Sequence, residues 1–83
     1  MELEIRKMIE PILKENNYIL DDVIYEKENG TYFLRVIIDK LEDYITILDC
    51  VKVNELLDPI LENQTILTDS YVLDVCSKEK GSV

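Results

Sequence analysis

Residues 18–39 have the sequence YILDDVIYEKENGTYFLRVIID, which is typical of a β-hairpin. Asn29 and Gly30 both accept the positive φ angles of a two-residue type I′ turn, and such a pair between apolar runs is the strongest short-range hairpin signal. The turn predicts two antiparallel strands, over 18–28 and 31–39. We therefore expect a sheet built on this hairpin, with the rest of the chain covering it.

The register of this hairpin divides its side chains between two faces. A two-residue turn places Tyr25 opposite Leu34, and this pairing decides which side chains share a face. The face expected to pack against helices consists of Val23, Tyr25, Leu34, Val36 and Ile38. The opposite face consists of Asp22, Ile24, Glu26, Phe33, Arg35 and Ile37. Leu20 is out of phase with Val23, which predicts a β-bulge near Asp21-Asp22.

A first helix is predicted before the hairpin, over 2–16. Its apolar stripe consists of Ile5, Met8, Ile9, Ile12 and Leu13. Pro11 removes one backbone donor, but the stripe keeps its phase on both sides of it, so we predict one bent helix. Asn16-Asn17 predicts the end of the helix, because Asn tolerates the left-handed conformation that follows a helix terminus.

A second helix is predicted over 47–61, after a polar connection at 40–46. Thr46 and Asp49 have the spacing of a capping box, in which each residue bonds the backbone of the other. The apolar stripe of this helix consists of Cys50, Val53, Leu57, Ile60 and Leu61. Pro59 is expected to bend or end the last turn, so we expect a firm helix only to Asp58.

A final strand is predicted over 71–76, after a loop at 62–70. The order α-β-β-α-β predicts an α+β fold, a two-layer sandwich with two helices on one face of a three-stranded sheet. We expect one domain over 1–77 and a flexible tail over 78–83. The place of the third strand in the sheet stays open.

The composition excludes several classes of protein. The chain has 83 residues, of which 47% are hydrophobic and 33% charged, and this is typical of one small globular domain. No apolar run approaches the roughly 18 residues of a membrane span, and the acidic start lacks the basic region of a signal peptide. Cys50 and Cys76 belong to no CxxC pair, so we expect buried thiols in a reducing cytoplasm.

The sequence offers few residues for catalysis. It contains no His, which excludes Ser-His-Asp and Cys-His catalysis and His-ligated zinc. Carboxylates cluster at Asp21-Asp22, Asp39 and Glu42-Asp43, but they lack the spacing of a calcium loop, and we expect them to serve solubility. No phosphate-binding Gly-rich motif is present. We therefore expect no catalytic residue, no cofactor and no metal.

The net charge favours a basic protein partner. Eighteen acidic and nine basic residues give a net charge of −9. Binding to nucleic acid requires clustered Lys and Arg, so this chain is poorly suited to bind it alone. A simple solvated surface is the alternative interpretation of the charge.

A binding surface is expected on the face of the sheet that the helices leave open. This face is about half apolar, and a contiguous exposed apolar patch marks an interface more often than chance. The candidate partner-binding residues, including two acidic residues of the connection, are Asp22, Phe33, Arg35, Ile37, Glu42, Asp43, Val72 and Asp74. The occupant is either another protein or a second copy of this chain.

Four stretches in order resemble one protein family. They are EPI (10–12) with NYILDDV (17–23), FLRVIID (33–39), ITILDC (45–50) and YVLDVCS (71–77). Together they resemble the N-terminal domain of the bacterial ribosome maturation factor RimP, over 3–77. Asn17 stands where that family usually has Gly, and Leu48 where it usually has Asp. The family continues with a second, SH3-like domain, which we expect to be absent here because only 78–83 follow.

The resemblance implies a ribosome assembly factor and not an enzyme. It implies a topology like that of type II KH domains and binding to the small ribosomal subunit through a ribosomal protein. Ribosomal proteins are mostly basic, so an acidic factor is electrostatically suited to them. Without a GxxG loop, we expect no RNA binding in the KH manner. The alternative is a protein-interaction or dimerisation module that uses the open sheet face without a ribosomal role.

Overall fold

The computed structural model describes residues 2–78. The elements, in chain order, are α1 (Glu2–Glu15), β1 (Ile19–Glu28), β2 (Thr31–Asp39), α2 (Ile47–Glu62) and β3 (Tyr71–Ser77). The predicted α-β-β-α-β order and α+β class are confirmed. None of the described helices is long and apolar enough to cross a membrane.

The hairpin has the predicted turn and register. Asn29 and Gly30 have φ angles of 50° and 84°, as a type I′ turn requires. Tyr25 lies opposite Leu34, and the register shifts between Leu20 and Asp22. The predicted pairing and the predicted β-bulge are both confirmed.

The third strand lies beside β2 and runs parallel to it, so the strand order is β1-β2-β3. β2 is therefore the central strand of a mixed sheet. Phe33 lies opposite Val72 and Arg35 opposite Asp74 across the parallel pair. The chain reaches this position through α2, because a parallel pair needs a long crossover connection.

The core lies between the two helices and one face of the sheet. Its buried residues are Ile5, Ile9, Leu13, Tyr18, Leu20, Val23, Leu34, Val36, Ile38, Val53, Leu57, Leu61 and Leu67. The predicted helix-facing side of the hairpin is confirmed, with Tyr25 half-buried and packed against this core. The opposite face of the sheet consequently remains uncovered by the described helices.

The first helix ends close to the predicted position. Asn17 has a φ angle of 67°, the left-handed conformation that Gly adopts most easily, and its amide donates to the Lys14 carbonyl. This geometry explains why Asn is accepted at a position where the resemblance has Gly. The helix continues through Pro11, as predicted.

The second helix begins as predicted and ends later. Thr46 and Asp49 form both bonds of the capping box. The helix runs to Glu62, one residue beyond the predicted end at 61, and Pro59, which was expected to bend or end the last turn, does not end it. Burial of Leu61 in the core favours this last turn, and the Asn63 side chain donates to the Pro59 carbonyl at 3.0 Å, which helps to close the helix.

β3 extends one residue beyond the predicted strand, to Ser77. The Lys78 amide donates to the Ile38 carbonyl at 3.0 Å, and its ammonium lies 3.4 Å from Asp21. The rest of the predicted flexible tail, 79–83, lies outside the described residues.

Candidate protein-binding site

The open face of the sheet consists of three rows of side chains, each crossing β1, β2 and β3. The rows are Glu26–Phe33–Val72, Ile24–Arg35–Asp74 and Asp22–Ile37–Cys76. Six of the eight predicted partner-binding residues therefore lie on one surface. The prediction that they share a face is confirmed, while their contact with a partner stays a prediction.

Arg35 occupies the centre of this face and is surrounded by carboxylates. Its guanidinium lies 3.0 Å from Glu28 and 3.4 Å from Asp74, and it also forms an ion pair with Glu26. It lies over the Phe33 ring at 5.1 Å, within the range of a cation–π contact. Arg35, the cation of this face, is thus already bound by carboxylates of the same chain.

The apolar groups of this face are largely half-buried. Phe33, Ile37 and Cys76 have intermediate exposure, while Val72 is 47% exposed. Burial raises the pKa of the Cys76 thiol, and the neighbouring Asp74 raises it further. The thiol therefore remains protonated at neutral pH, which disfavours a nucleophilic role.

Glu42 and Asp43 do not join the open face. They lie in the connection between β2 and α2, and they line a groove of about 1160 Å³ beside α1. The groove also contains Lys7, Lys14 and Lys40, so it has both signs of charge. The eight predicted residues therefore belong to two separate surfaces.

A cluster around Asp49 joins the start of β1 to the start of α2. The Tyr18 hydroxyl donates to Asp49 at 2.7 Å, and the Lys40 ammonium lies 3.1 Å from the same carboxylate. The Lys40 and Lys52 ammonium groups lie 5.7 Å and 6.0 Å from the centre of the Tyr18 ring. The sequence predicted the capping box but not the contact with Tyr18, which is 31 residues away.

These bonds shift the pKa values of Asp49 and Tyr18. Hydrogen bonds from the Thr46 backbone and the Tyr18 hydroxyl, with a further contribution from Lys40, hold the pKa of Asp49 well below its usual value. Burial, with the hydrogen bond to Asp49 next, raises the pKa of Tyr18 to about 12. Asp49 is therefore ionised and Tyr18 neutral at physiological pH, so the contact is a charge-assisted hydrogen bond.

A second apolar surface was missed by the sequence analysis. It lies in the connection and the first turns of α2 and we call it the α2 patch. Its members and their exposed fractions are Leu41 (88%), Tyr44 (73%), Ile47 (70%), Leu48 (78%) and Val51 (48%). The signal was present in the sequence, because Ile47, Leu48 and Val51 lie off the buried stripe of the helix, and Val51 follows the other two by four and three residues.

Cys50 and Cys76 are not joined in a disulfide, and both are half-buried where buried thiols were expected. They line a small cavity of about 260 Å³ between the start of α2 and the end of β3. Among residues 2–78, no three side chains of the types that bind metals lie close enough together to hold an ion.

Residues from the motifs of the family resemblance form hydrogen bonds and backbone conformations that hold the fold together. Asp49 accepts hydrogen bonds from Tyr18 and from Thr46, and Asn17, next to Tyr18, has the left-handed conformation. A family model described as the RimP N-terminal domain matches residues 8–78. Because this match covers most of the 83 residues, the chain belongs to the RimP N-terminal domain family, and it is a ribosome maturation factor domain.

Proposed function

We propose that this domain binds the small ribosomal subunit during its maturation, through a basic ribosomal protein, and acts by binding alone. The family match is the observation that carries this proposal. The net charge of −9 supports a basic partner, since complementary charge accelerates encounter and disfavours wrong partners. Cys50 and Cys76 are not joined in a disulfide, which favours a cytoplasmic location.

The distribution of charge supports a protein partner over direct RNA binding. Within residues 2–78, three of the eight basic side chains, Arg35, Lys40 and Lys78, are bound to carboxylates of this chain, and the other five are outnumbered by exposed carboxylates. A surface that binds phosphates needs several cations free to replace counterions. The acidic excess instead suits the Lys and Arg side chains of a basic protein.

The experiment measures association of the chain with purified small ribosomal subunits by stopped-flow fluorescence across a salt series. The test variant is Glu42→Lys/Asp43→Lys, at the exposed connection. The matched control is Glu62→Lys/Asp69→Lys, because these residues are also exposed and lie near the hairpin end of the sheet. Both variants change the net charge equally.

We expect the test variant to associate several-fold more slowly than the control at low salt, and the difference to fade as salt rises. Equal rates for the two variants would show that Glu42 and Asp43 face only water. No binding of the unmodified chain to the subunit at any salt concentration would contradict the proposed function itself.

A second candidate function is self-association through the open sheet face. The partial exposure of Phe33, Ile37 and Val72 favours it. Sedimentation velocity over a range of concentrations tests it. A dimer that Phe33→Asp disrupts, in a chain that does not bind subunits, would replace the first proposal with this one.

A further inference from the structure

We propose that the α2 patch is the docking surface for a basic protein segment that inserts aliphatic or aromatic side chains into it. This inference rests on the proposed function and names the surface and the chemistry of the partner. It differs from the sequence-based expectation, which placed the interface on the open sheet face.

The exposure of the patch is the first observation. Leu41 and Leu48 are 88% and 78% exposed, so neither contributes appreciably to the core. Ile47 and Val51 are one helical turn apart and therefore adjacent on the same side of α2. Leu48 is likewise one turn before Val51, so three exposed apolar side chains are neighbours on the surface of α2, and such a group on a small acidic domain marks an interaction surface.

The second observation is that the fold holds this surface in place. Asp49, in the first turn of α2, accepts bonds from the Thr46 backbone and from the Tyr18 hydroxyl, at 2.8 Å and 2.7 Å. Lys40, at the start of the connection, is bound to the same carboxylate. Both ends of the patch are therefore tied to the domain, which lowers the ordering entropy that a partner must overcome on binding.

The third observation is the charge around the patch. Glu42, Asp43 and Glu55 are exposed, and none of them forms an ion pair with another residue of the part described. Lys40 is bound to Asp49, and the Lys52 ammonium lies over the Tyr18 ring, while Lys7 and Lys14 stand on the α1 side of the groove that Leu41, Glu42 and Asp43 line. The connection and the first turns of α2 therefore carry an excess of carboxylates, so the occupant carries Lys or Arg beside its apolar anchors.

A second copy of this chain fits the patch poorly. Two-fold pairing through the patch would bring together two surfaces that both carry an excess of carboxylates. Each copy also carries a net charge of −9. Charge complementarity therefore selects a basic partner over self-association.

The test compares single apolar-to-serine variants, which leave the net charge unchanged. Leu48→Ser removes the most exposed apolar side chain that α2 contributes to the patch, and Leu3→Ser is the matched control, since Leu3 is 62% exposed on α1. Val72→Ser provides a third variant on the open sheet face. Binding of each full chain to purified small ribosomal subunits is measured by co-sedimentation at fixed salt, with thermal unfolding as the check on folding.

We expect Leu48→Ser to weaken binding by about tenfold, as for loss of an interface anchor, while Leu3→Ser and Val72→Ser bind normally. Normal binding by Leu48→Ser would overturn the inference and leave the proposed function intact. Weakened binding by Val72→Ser alone would assign the interface to the sheet face. A dimer of the unmodified chain that only Leu48→Ser disrupts would identify a second copy as the occupant and overturn the inference.

A second probe covers the case in which the unmodified chain does not bind the subunit. It is a synthetic helix-forming peptide with Leu at every third or fourth position and Lys elsewhere, paired with a twin in which Ser replaces each Leu. Binding of the Leu peptide alone, lost in Leu48→Ser, supports the patch although the proposed function has failed. Equal binding of both peptides would show that the chain binds them through its negative charge alone, and it would overturn the inference.

Discussion

The open sheet face and the α2 patch both expose apolar side chains, but they differ in what surrounds them. On the sheet face, Arg35 is bound by three carboxylates and covers part of the Phe33 ring. On the α2 patch, Leu41 and Leu48 project into solvent. The difference shows that the charged groups on an uncovered sheet face can form ion pairs with one another. An exposed helix terminus, in contrast, can carry apolar side chains that do not contribute to the core.

The largest expected effect concerns the cluster that supports the patch. Asp49→Ala removes the capping-box acceptor and the partner of Tyr18, and should lower the free energy of unfolding by about 2–3 kcal/mol, since hydrogen bonds to charged groups contribute about 1.5–3 kcal/mol each. Urea denaturation measures it. Asp58→Ala, exposed on the same helix, is the control and should stay within about 0.5 kcal/mol.

The same variant predicts a change in acid stability. The pKa of Asp49 is lowered in the fold from its ordinary value of 3.8, so its bonds stabilise the fold above that pH and are lost as the pH falls below it. The unmodified chain should lose stability below about pH 4, and Asp49→Ala should lose less over that range. If the unfolding free energy of both proteins falls equally as the pH is lowered, Asp49 is not the cause of the acid sensitivity.

A smaller effect is expected at the centre of the sheet face. Arg35→Met leaves Glu26, Glu28 and Asp74 close together without their shared cation, and should destabilise the fold by about 1–2 kcal/mol, because exposed ion pairs contribute up to about 1 kcal/mol each. The loss should shrink in high salt, which screens the repulsion. Lys7→Met on α1 is the control and should change stability little at either salt concentration.

Phe33→Asp should cost about 1 kcal/mol, since the half-buried ring is lost while the new carboxylate faces Arg35. Thermal unfolding should remain cooperative. Loss of cooperative unfolding would place Phe33 in the core and contradict the description of the sheet face as a surface.

The smallest expected effect is at the α2 patch. Leu48→Ser should leave the unfolding free energy within about 0.5 kcal/mol of the unmodified chain, because the side chain is 78% exposed. Leu57→Ala, in the core face of the same helix, should lose about 2–5 kcal/mol and serves as the comparison. A large loss in Leu48→Ser would mean that the patch is part of the fold.

Local signals predicted most of the fold. Asn29-Gly30 determined the turn and, through it, the register and both faces of the hairpin. The parallel position of β3 could not be predicted, because pairing between distant strands depends on the packing of the whole chain. The regular last turn of α2 could not be predicted for a related reason: the burial of Leu61, which only the tertiary structure shows, outweighs the local penalty of Pro59.

The candidate site was predicted less completely. The face shared by Phe33, Arg35 and Asp74 follows from strand alternation and was found, but the carboxylates that bind Arg35 depend on side-chain reach. The Tyr18–Asp49 contact joins residues far apart in sequence and had no local signal. The α2 patch was visible as apolar residues off the buried stripe, and it was missed because the stripe alone was used to interpret the helix.

The central position of β2 has a consequence for the dynamics of the domain. Its backbone is bonded to β1 on one side and to β3 on the other, whereas each outer strand is paired on one side within the described sheet. Amide protons of β2 should therefore exchange with solvent most slowly. The hairpin forms through local pairing on a microsecond timescale. β3 can pair with β2 only after the crossover connection that contains α2 has folded back over the sheet. During synthesis from the N-terminus, β1 and β2 can consequently pair before the residues of β3 have been made.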